Sequence, residues 1–427
     1  MSLMRIGFVC SEYFGAKETD VGLIPTSVHG GFGFLTRLKA EYLASLGNQV
    51  DVFTYAYSFD YEGKSPSEIS INDVKIHLIP EKVIVGKNNL LLGAKYMVSK
   101  PKENKYFLNL ITKEQIQILQ FEDTPTSMIM ADLDNLKKIL IFQDPFDYYD
   151  NNLLIDSKNN YLNIFKGETE PYHVKKINER FPNELLINWL HRRNFINPIK
   201  KILNDSNSLS IFAEADFIGE KVKKLFDLKY VPKTLRNPIF ISNSVQKKSQ
   251  RPSFTWVGRW DPQKRPDTML RVAKELPEYD FYLIGTATRV PKDFLSIESK
   301  LIKEYSKYRN IHILGFVDEK TKREFIGKSW ALVNTSIREG LPITFLEAMA
   351  EGTPIISYVD PDNYVTRFGI KTDYNIDSFK EAIEESVSEK LYEKKGEEER
   401  EYIRKEHEIG VVMNRHIDIY ENILGEL

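Results

Sequence analysis

Short apolar runs along this chain alternate with segments whose hydrophobic positions recur every three or four residues, and that alternation predicts parallel strands joined by helices. Arg5–Cys10 (RIGFVC) reads as a buried strand. Leu35, Leu38, Tyr42, Leu43 and Leu46 then mark one face of a helix over Phe34–Leu46, which Gly47 can close in the left-handed conformation. Gln49–Thr54 follows as the next strand, completing a βαβ unit whose crossover demands parallel pairing. Further strands are expected at Lys75–Ile79, Ile116–Gln120 and Lys138–Phe142, with Leu209–Ala213 as the final strand of this half.

After a polar, proline-edged stretch at Ile239–Pro252, read as a linker, the same pattern restarts. Strands are expected at Ser253–Val257, Asp280–Ile284, Asn310–Leu314, Ala331–Thr335 and Pro354–Tyr358, and helices at Pro266–Leu276 and from Pro342 to Gly352. A last amphipathic helix spans about Glu408–Leu424. The expected fold class is α/β, with two doubly wound, Rossmann-like domains. Their bounds are 1–238, with the C-terminal helix of about 408–427 packing back on it, and 239–407.

A length of 427 residues suits two domains, and 42% hydrophobic with 28% charged residues is an ordinary globular balance. The net charge of −2 gives no basic field of the kind that draws nucleic acid. A lone cysteine, Cys10, excludes an internal disulfide and a four-cysteine metal site, and it fits a reducing, cytoplasmic setting. No apolar run approaches the ~20 residues that cross a bilayer. The basic segment Lys175–Lys201, with Trp189 inside it, is a candidate for peripheral docking on anionic lipid. A solvated surface is the plainer reading, because its apolar positions share no clean face.

Two segments carry chemistry. In REGLPITFLEAMAEGTPII (Arg338–Ile356) a strand feeds a short loop with Glu339, Gly340 and Leu341, and a helix starts beyond Pro342. The N–H groups near Ile343 and Thr344 at such a start favour an anion such as a diphosphate. Glu347, five residues past Pro342, lies about 7.5 Å along the axis, where a carboxylate can accept from a ribose diol. Glu339 sits over the other end of the phosphates, within reach of a sugar. In WVGRWDPQKRPD (Trp256–Asp267), Gly258 permits close backbone approach, while Arg259 and Lys264 offer two cations to one anion at the carboxyl end of a strand. Such cations stabilise a nucleoside-diphosphate leaving group as its charge grows. Against this stands the bland reading of solvated glutamates and a basic surface loop.

With these motifs and ILGFVD (Ile313–Asp318), the chain resembles the large family-four retaining glycosyltransferases over its whole length. The resemblance implies the GT-B fold, two Rossmann-like domains facing across a cleft. It also implies transfer of a sugar from a UDP- or GDP-linked donor to a hydroxyl on a glycan, lipid-linked or small-molecule acceptor. Arg259 and Lys264 would hold the diphosphate, Gly315, Phe316 and Val317 would lie near the base, and Glu339 and Glu347 would hold the donor sugar and the ribose. No cofactor and no metal are expected beyond the substrate. Retention is read as same-face attack, with the departing phosphate taking the acceptor proton.

Weaker candidates lie in the first half. SVHGGFG (Ser27–Gly33) opens the first helix, but Gly30, Gly31 and Gly33 are wrongly spaced for a dinucleotide fingerprint. The resembled family brings this loop towards phosphates and acceptor. IFQDPFD (Ile141–Asp147) follows a strand and places Gln143 and Asp144 where that family often has His then Asp. Gln forms hydrogen bonds but cannot serve as a base. The Asp-x-Asp triplets at Asp132–Asp134 and Asp360–Asp362 read as coincidence rather than metal sites. Two other readings stay open: an epimerase or phosphorylase on the same scaffold, and a non-catalytic sugar-nucleotide binder.

Overall fold

The computed structural model describes residues 3–10, 13, 15–19, 22–26, 31–56, 68–80, 107–122, 136–143, 153–154, 175–176, 197–205, 208–242, 244–260, 263–287 and 292–425. These form two compact units. The first comprises Met1–Phe146, Ile187–Pro238 and Ile409–Leu427, and the second Asp147–Leu186 and Ile239–Glu408.

The first unit holds an eight-stranded sheet. Its order is Lys233–Thr234, Leu209–Ala213, Lys137–Phe142, Ile118–Phe121, Arg5–Cys10, Gln49–Ala56, Val74–Pro80 and Glu68–Ile71. All neighbours run parallel except the last pair, a hairpin turned by Asn72 and Asp73, both at positive φ. Leu209–Ala213 is therefore not the final strand, as expected from sequence. Lys233–Thr234 adds an edge too short to leave a periodic signal. A second hairpin, Gly15–Thr19 with Gly22–Thr26, also went unread.

Helix Gly31–Ser45 packs Leu38 and Leu43 on this sheet, against Ile6, Phe8, Val50 and Val52. It ends at Gly47 (φ +87°), whose N–H donates to Ala44 O at 2.8 Å. The C-terminal helix Ile409–Gly425 adds Ile409, Met413, Ile417 and Tyr420 to the same core. Because the chain winds outward in both directions from Arg5–Cys10, the carboxyl ends of Arg5–Cys10 and Ile118–Phe121 form the topological switch point, where open sheets bind ligands.

The second unit repeats the plan with six parallel strands. Their order is Ile311–Gly315, Asp280–Ile284, Ser253–Val257, Ala331–Asn334, Ile355–Ser357 and Ile370–Lys371. Its core gathers Phe254, Trp256, Met269, Leu270, Phe281, Leu283, Val333, Ile356, Phe379 and Ile383. The switch point here lies between Ser253–Val257 and Ala331–Asn334.

Residues 239–252, expected as a linker, are fastened into this unit. Ile239 N donates to His407 O at 2.7 Å, and Arg400 donates to Ser242 O at 3.1 Å and Ala350 O at 2.7 Å. Lys248 Nζ donates to Thr353 Oγ1 at 2.6 Å. Beside it Glu399 is fully buried, and among the described residues neither carboxylate oxygen has a hydrogen-bond partner. Burial pushes this carboxyl well above the usual carboxylate range and, against the pull of Glu399, pulls Lys248 down to about 7.

A carboxyl raised on folding favours the folded state below its unfolded pKa, and that contribution is lost as pH rises towards its folded pKa. Glu399→Met is therefore expected to stabilise the chain by about 1–2 kcal/mol at pH 7. The gain should widen from pH 6 to pH 9, read by urea denaturation. A gain independent of pH would contradict the protonation account.

Candidate functional site

At the switch point of the second unit, glycines let the ends of three adjacent strands approach. Gly258 N donates to Ile284 O at 3.0 Å and Gly285 N to Gly315 O at 2.8 Å. Gly285 has φ +128°, and a Cβ there would stand 1.8 Å from Gly258 O. Only glycine satisfies both the dihedral and the space. The loop after Ser253–Val257 thus leaves the sheet with Arg259 exposed and Trp260 buried as its anchor.

A single hydroxyl ties this loop to the neighbouring strand. Thr335 Oγ1 accepts from Trp256 Nε1 at 2.9 Å and faces Arg265 O at 2.8 Å and Lys264 O at 2.9 Å, between which its proton is shared. Gln263 reinforces the join through Arg338 O at 3.0 Å and Ile337 N at 3.0 Å. Arg265 turns the chain at φ 54°, held by a forked pair with Asp267 at 2.8 Å. The result brings Lys264 onto Glu339: Lys264 Nζ donates to both carboxylate oxygens at 2.7 Å, and Asn334 Nδ2 reaches one at 3.3 Å. Lys264 and Glu339, expected as separate contacts, form one preformed ion pair.

Helix Ile343–Ala350 starts at Pro342 with no side-chain cap, and in its first turn Phe345 N donates to Pro342 O at 3.0 Å; N–H groups at such a start favour an anion. Within it Glu347 is completely buried, which the alternative of a helix-surface glutamate does not fit. Its Oε1 accepts from Lys322 Nζ at 2.7 Å, and Lys322 also pairs with Glu319 at 2.8 Å. Among the described residues its Oε2 has no partner. Burial raises the Glu347 carboxyl to about 7, with Lys322 opposing the rise. Gly315, at φ +67°, ends its strand and exposes Phe316, 53% accessible, beside Val317. Asp318 then caps helix Glu319–Lys328, which carries Lys322.

Gly258, Arg259, Lys264, Gly315, Phe316, Val317, Glu339, Gly340, Leu341, Pro342, Ile343, Thr344 and Glu347 therefore all belong to loops or a helix start following strands of one sheet. Gly31, Gly33 and Gln143 belong to the first unit: the glycines lie in helix Gly31–Ser45, and Gln143 ends strand Lys137–Phe142 with its side chain buried. Gly30, Asp144, Asp132–Asp134 and residues 177–196 of the basic segment lie outside the described residues. Asp360 accepts from Val365 N, in the first turn of helix Tyr364–Phe368, at 2.8 Å.

Lys322, Thr335 and the Arg265–Asp267 fork escaped sequence reading. Lys322 and Glu347 are 25 residues apart, so no local period links them. Sequence spacing also hid Asp51, His77 and Glu114 of the first unit, whose ligand atoms come within 4.8 Å of one another. There His77 Nε2 is hydrogen-bonded to Asp51 at 2.7 Å, and Lys75 donates to Glu114 at 2.7 Å, so these groups partner one another and Lys75.

Sucrose-phosphate synthase from Thermosynechococcus elongatus superposes with a TM-score of 0.68 at 15% identity, over 99% of this chain and 100% of that one. WaaG, a glycosyltransferase involved in lipopolysaccharide biosynthesis, gives 0.61 at 15% identity, over 97% and 99%. Anabaena Alr3699/HepE in complex with UDP and glucose gives 0.60 at 12%, over 98% and 99%. The fold is that of the GT-B glycosyltransferases. Residues 239–407 match the family Glycosyl transferases group 1. The O-antigen biosynthesis glycosyltransferase WbnH of Escherichia coli is 30% identical over 125 residues, 28% of this chain and 33% of that protein. The chain thus spans about a third of the length of the curated relatives it matches. Among the described residues no helix is long and apolar enough to cross a membrane.

Gly285→Ala is expected to cost more than about 3 kcal/mol, since neither the backbone at Gly258 nor the positive φ can yield cheaply. Denaturant unfolding measures this, and a loss below about 1 kcal/mol would refute the close approach.

Proposed function

We propose that this chain is a retaining glycosyltransferase that moves a sugar from a UDP- or GDP-linked donor to a hydroxyl on a glycan acceptor, without a metal. The observation that carries the reading is Glu347 Oε2: a fully buried acceptor without a partner among the described residues, inside a helix whose start has no side-chain cap. A buried carboxylate oxygen left open is costly unless a ligand fills it, and a ribose hydroxyl beside a helix-bound diphosphate has the right chemistry and offset.

In this reading the first-turn N–H groups of Ile343–Ala350 and the Arg259 and Lys264 side chains bind the diphosphate. Glu339, ion-paired to Lys264, orients that cation and faces the sugar, while Phe316 offers a ring to the base. The acceptor oxygen attacks the anomeric carbon on the face the phosphate leaves. The carbon–oxygen bond to phosphate breaks, and the departing diphosphate takes the acceptor proton. Cations fixed before the reaction stabilise that charge without reorganisation. A structural neighbour solved with UDP and glucose, and the O-antigen biosynthesis role of the Escherichia coli relative, support a donor and acceptor of this kind. A cytoplasmic enzyme meeting a lipid-linked acceptor, docked through 175–201, is the form of this proposal that fits the basic segment.

Two measurements test it. UDP or GDP, added without metal, should raise the melting temperature selectively, and Arg259→Ala should weaken that diphosphate about tenfold or more. No shift with either nucleotide would favour a non-catalytic role. Because burial holds the Glu347 carboxyl at about 7, its charged, accepting form grows as pH rises through neutrality. Affinity should therefore increase from pH 6 to pH 8 for the ribonucleotide. The increase should vanish in Glu347→Gln and for the 2′-deoxy diphosphate, which lacks the hydroxyl pair. An equal rise with the deoxy ligand would assign the pH dependence to the phosphates instead.

A further inference from the structure

Between helices Glu319–Lys328 and Ile343–Ala350 of the second unit runs a ladder of ion pairs that the donor contacts alone do not explain. Lys322 Nζ donates to Glu347 Oε1 at 2.7 Å and pairs with Glu319 Oε2 at 2.8 Å. On the next rung Arg323 Nε donates to Glu351 Oε1 at 2.9 Å, and Arg323 Nη1 to Phe240 O at 3.3 Å. Arg323 is thereby committed to Glu351, which leaves Lys322 to Glu347. From helix Leu391–Glu406, Arg400 meets the far end of Ile343–Ala350, at Ala350 O.

Stability alone does not account for the Lys322–Glu347 pair. Glu347 is fully buried and Lys322 largely so. A buried ion pair adds little over apolar side chains of the same volume, because both charges give up water. What the pair does supply is a direction. A carboxylate is planar, so an ammonium fixed on Oε1 sets where Oε2 points. Glu122 of the first unit shows the other arrangement: its Oε2 accepts from Lys39 Nζ at 2.7 Å and Gln143 Nε2 at 2.8 Å, and its Oε1 from Gln120 Nε2 at 2.5 Å. Both of its oxygens are used inside the protein. At Glu347, among the described residues, Oε2 has no partner. Burial lifts this carboxyl to about 7, and Lys322 opposes the lift, Glu319 adds to it and Arg323 opposes it weakly. Lys322 thus favours the ionised form, which can only accept.

We propose that Lys322 is the positioning residue of the ribose contact: held by Glu319, it pins Glu347 Oε1 and thereby aims Oε2 at the hydroxyl. The inference rests on the sugar-nucleotide reading above. It adds to that site a side chain that acts through Glu347 rather than on the ligand.

The test uses the full chain, titrated from pH 6 to pH 9 with UDP, GDP and their 2′-deoxy counterparts. Lys322→Met, which keeps the length and removes the charge, should weaken the ribonucleotide about tenfold at neutral pH. The deoxy ligand should bind as before. Without its cation the Glu347 carboxyl titrates higher, so the rise of affinity with pH moves upward. Glu319→Gln still accepts from Lys322 but removes an anion that raises the carboxyl, so it should move the rise to lower pH. Such opposite shifts would not come from a merely structural role. Lys322→Arg should recover part of the loss, and Lys322→Met should have no further effect in a Glu347→Gln background. Unaltered ribonucleotide affinity and pH profile in Lys322→Met overturn the proposal, as does an equal loss on the ribo and deoxy ligands. Should Lys322→Met fail to fold, Glu319→Gln carries the test, and an unmoved profile overturns it. If no diphosphate binds wild type, the function proposed above falls and takes the ribose contact with it. If diphosphates bind and only the Lys322 and Glu319 results fail, that function stands without this residue.

Discussion

The lateral pairing of strand Ser253–Val257 with Ala331–Asn334 is the constraint on which the second unit's chemistry depends. The two run parallel, with Phe254 opposite Ala331 and Thr255 opposite Leu332, although they are far apart in sequence. Parallel pairing puts both carboxyl ends on one side of the sheet. Winding in opposite directions from the pair then parts the following loops, which the Thr335 hydroxyl ties at one point. Lys264 and Glu339 meet across 75 residues only because of that register. A slip of one residue would turn Trp256 and Val333 out of the core and separate the ion pair.

Three buried glutamates show how partners, rather than burial, decide what a carboxylate does. Glu122 has both oxygens filled by donors and acts as the fixed anion of a network. Glu347 has one oxygen filled and, among the described residues, one without a partner. Glu399 has neither filled and is driven towards its neutral form. All three are fully buried. Desolvation is therefore common to them, and the hydrogen bonds supply the difference.

Much of the fold was legible in residue order. The runs at Arg5–Cys10, Leu209–Ala213, Ser253–Val257 and Asp280–Ile284 match the observed strands residue for residue, because buried parallel strands are continuously apolar. Helix Ile343–Ala350 was legible from its proline start and glycine stop. The two-residue edge strands, the hairpin at Gly15–Thr26 and the fastening of 239–252 were not, since each depends on pairing with distant backbone.

By itself the sequence determined which residues can begin a helix, approach a backbone or carry a charge: Pro342, Gly258 and Gly285, Arg259 and Lys264. Those properties reside in single side chains and their immediate neighbours. Only the tertiary structure decided that Lys264 belongs to Glu339, that Lys322 occupies one oxygen of Glu347, and that Glu122 turns the amide of Gln143. A hydrogen bond has a direction and a length, and neither exists until the sheet has brought its two ends together.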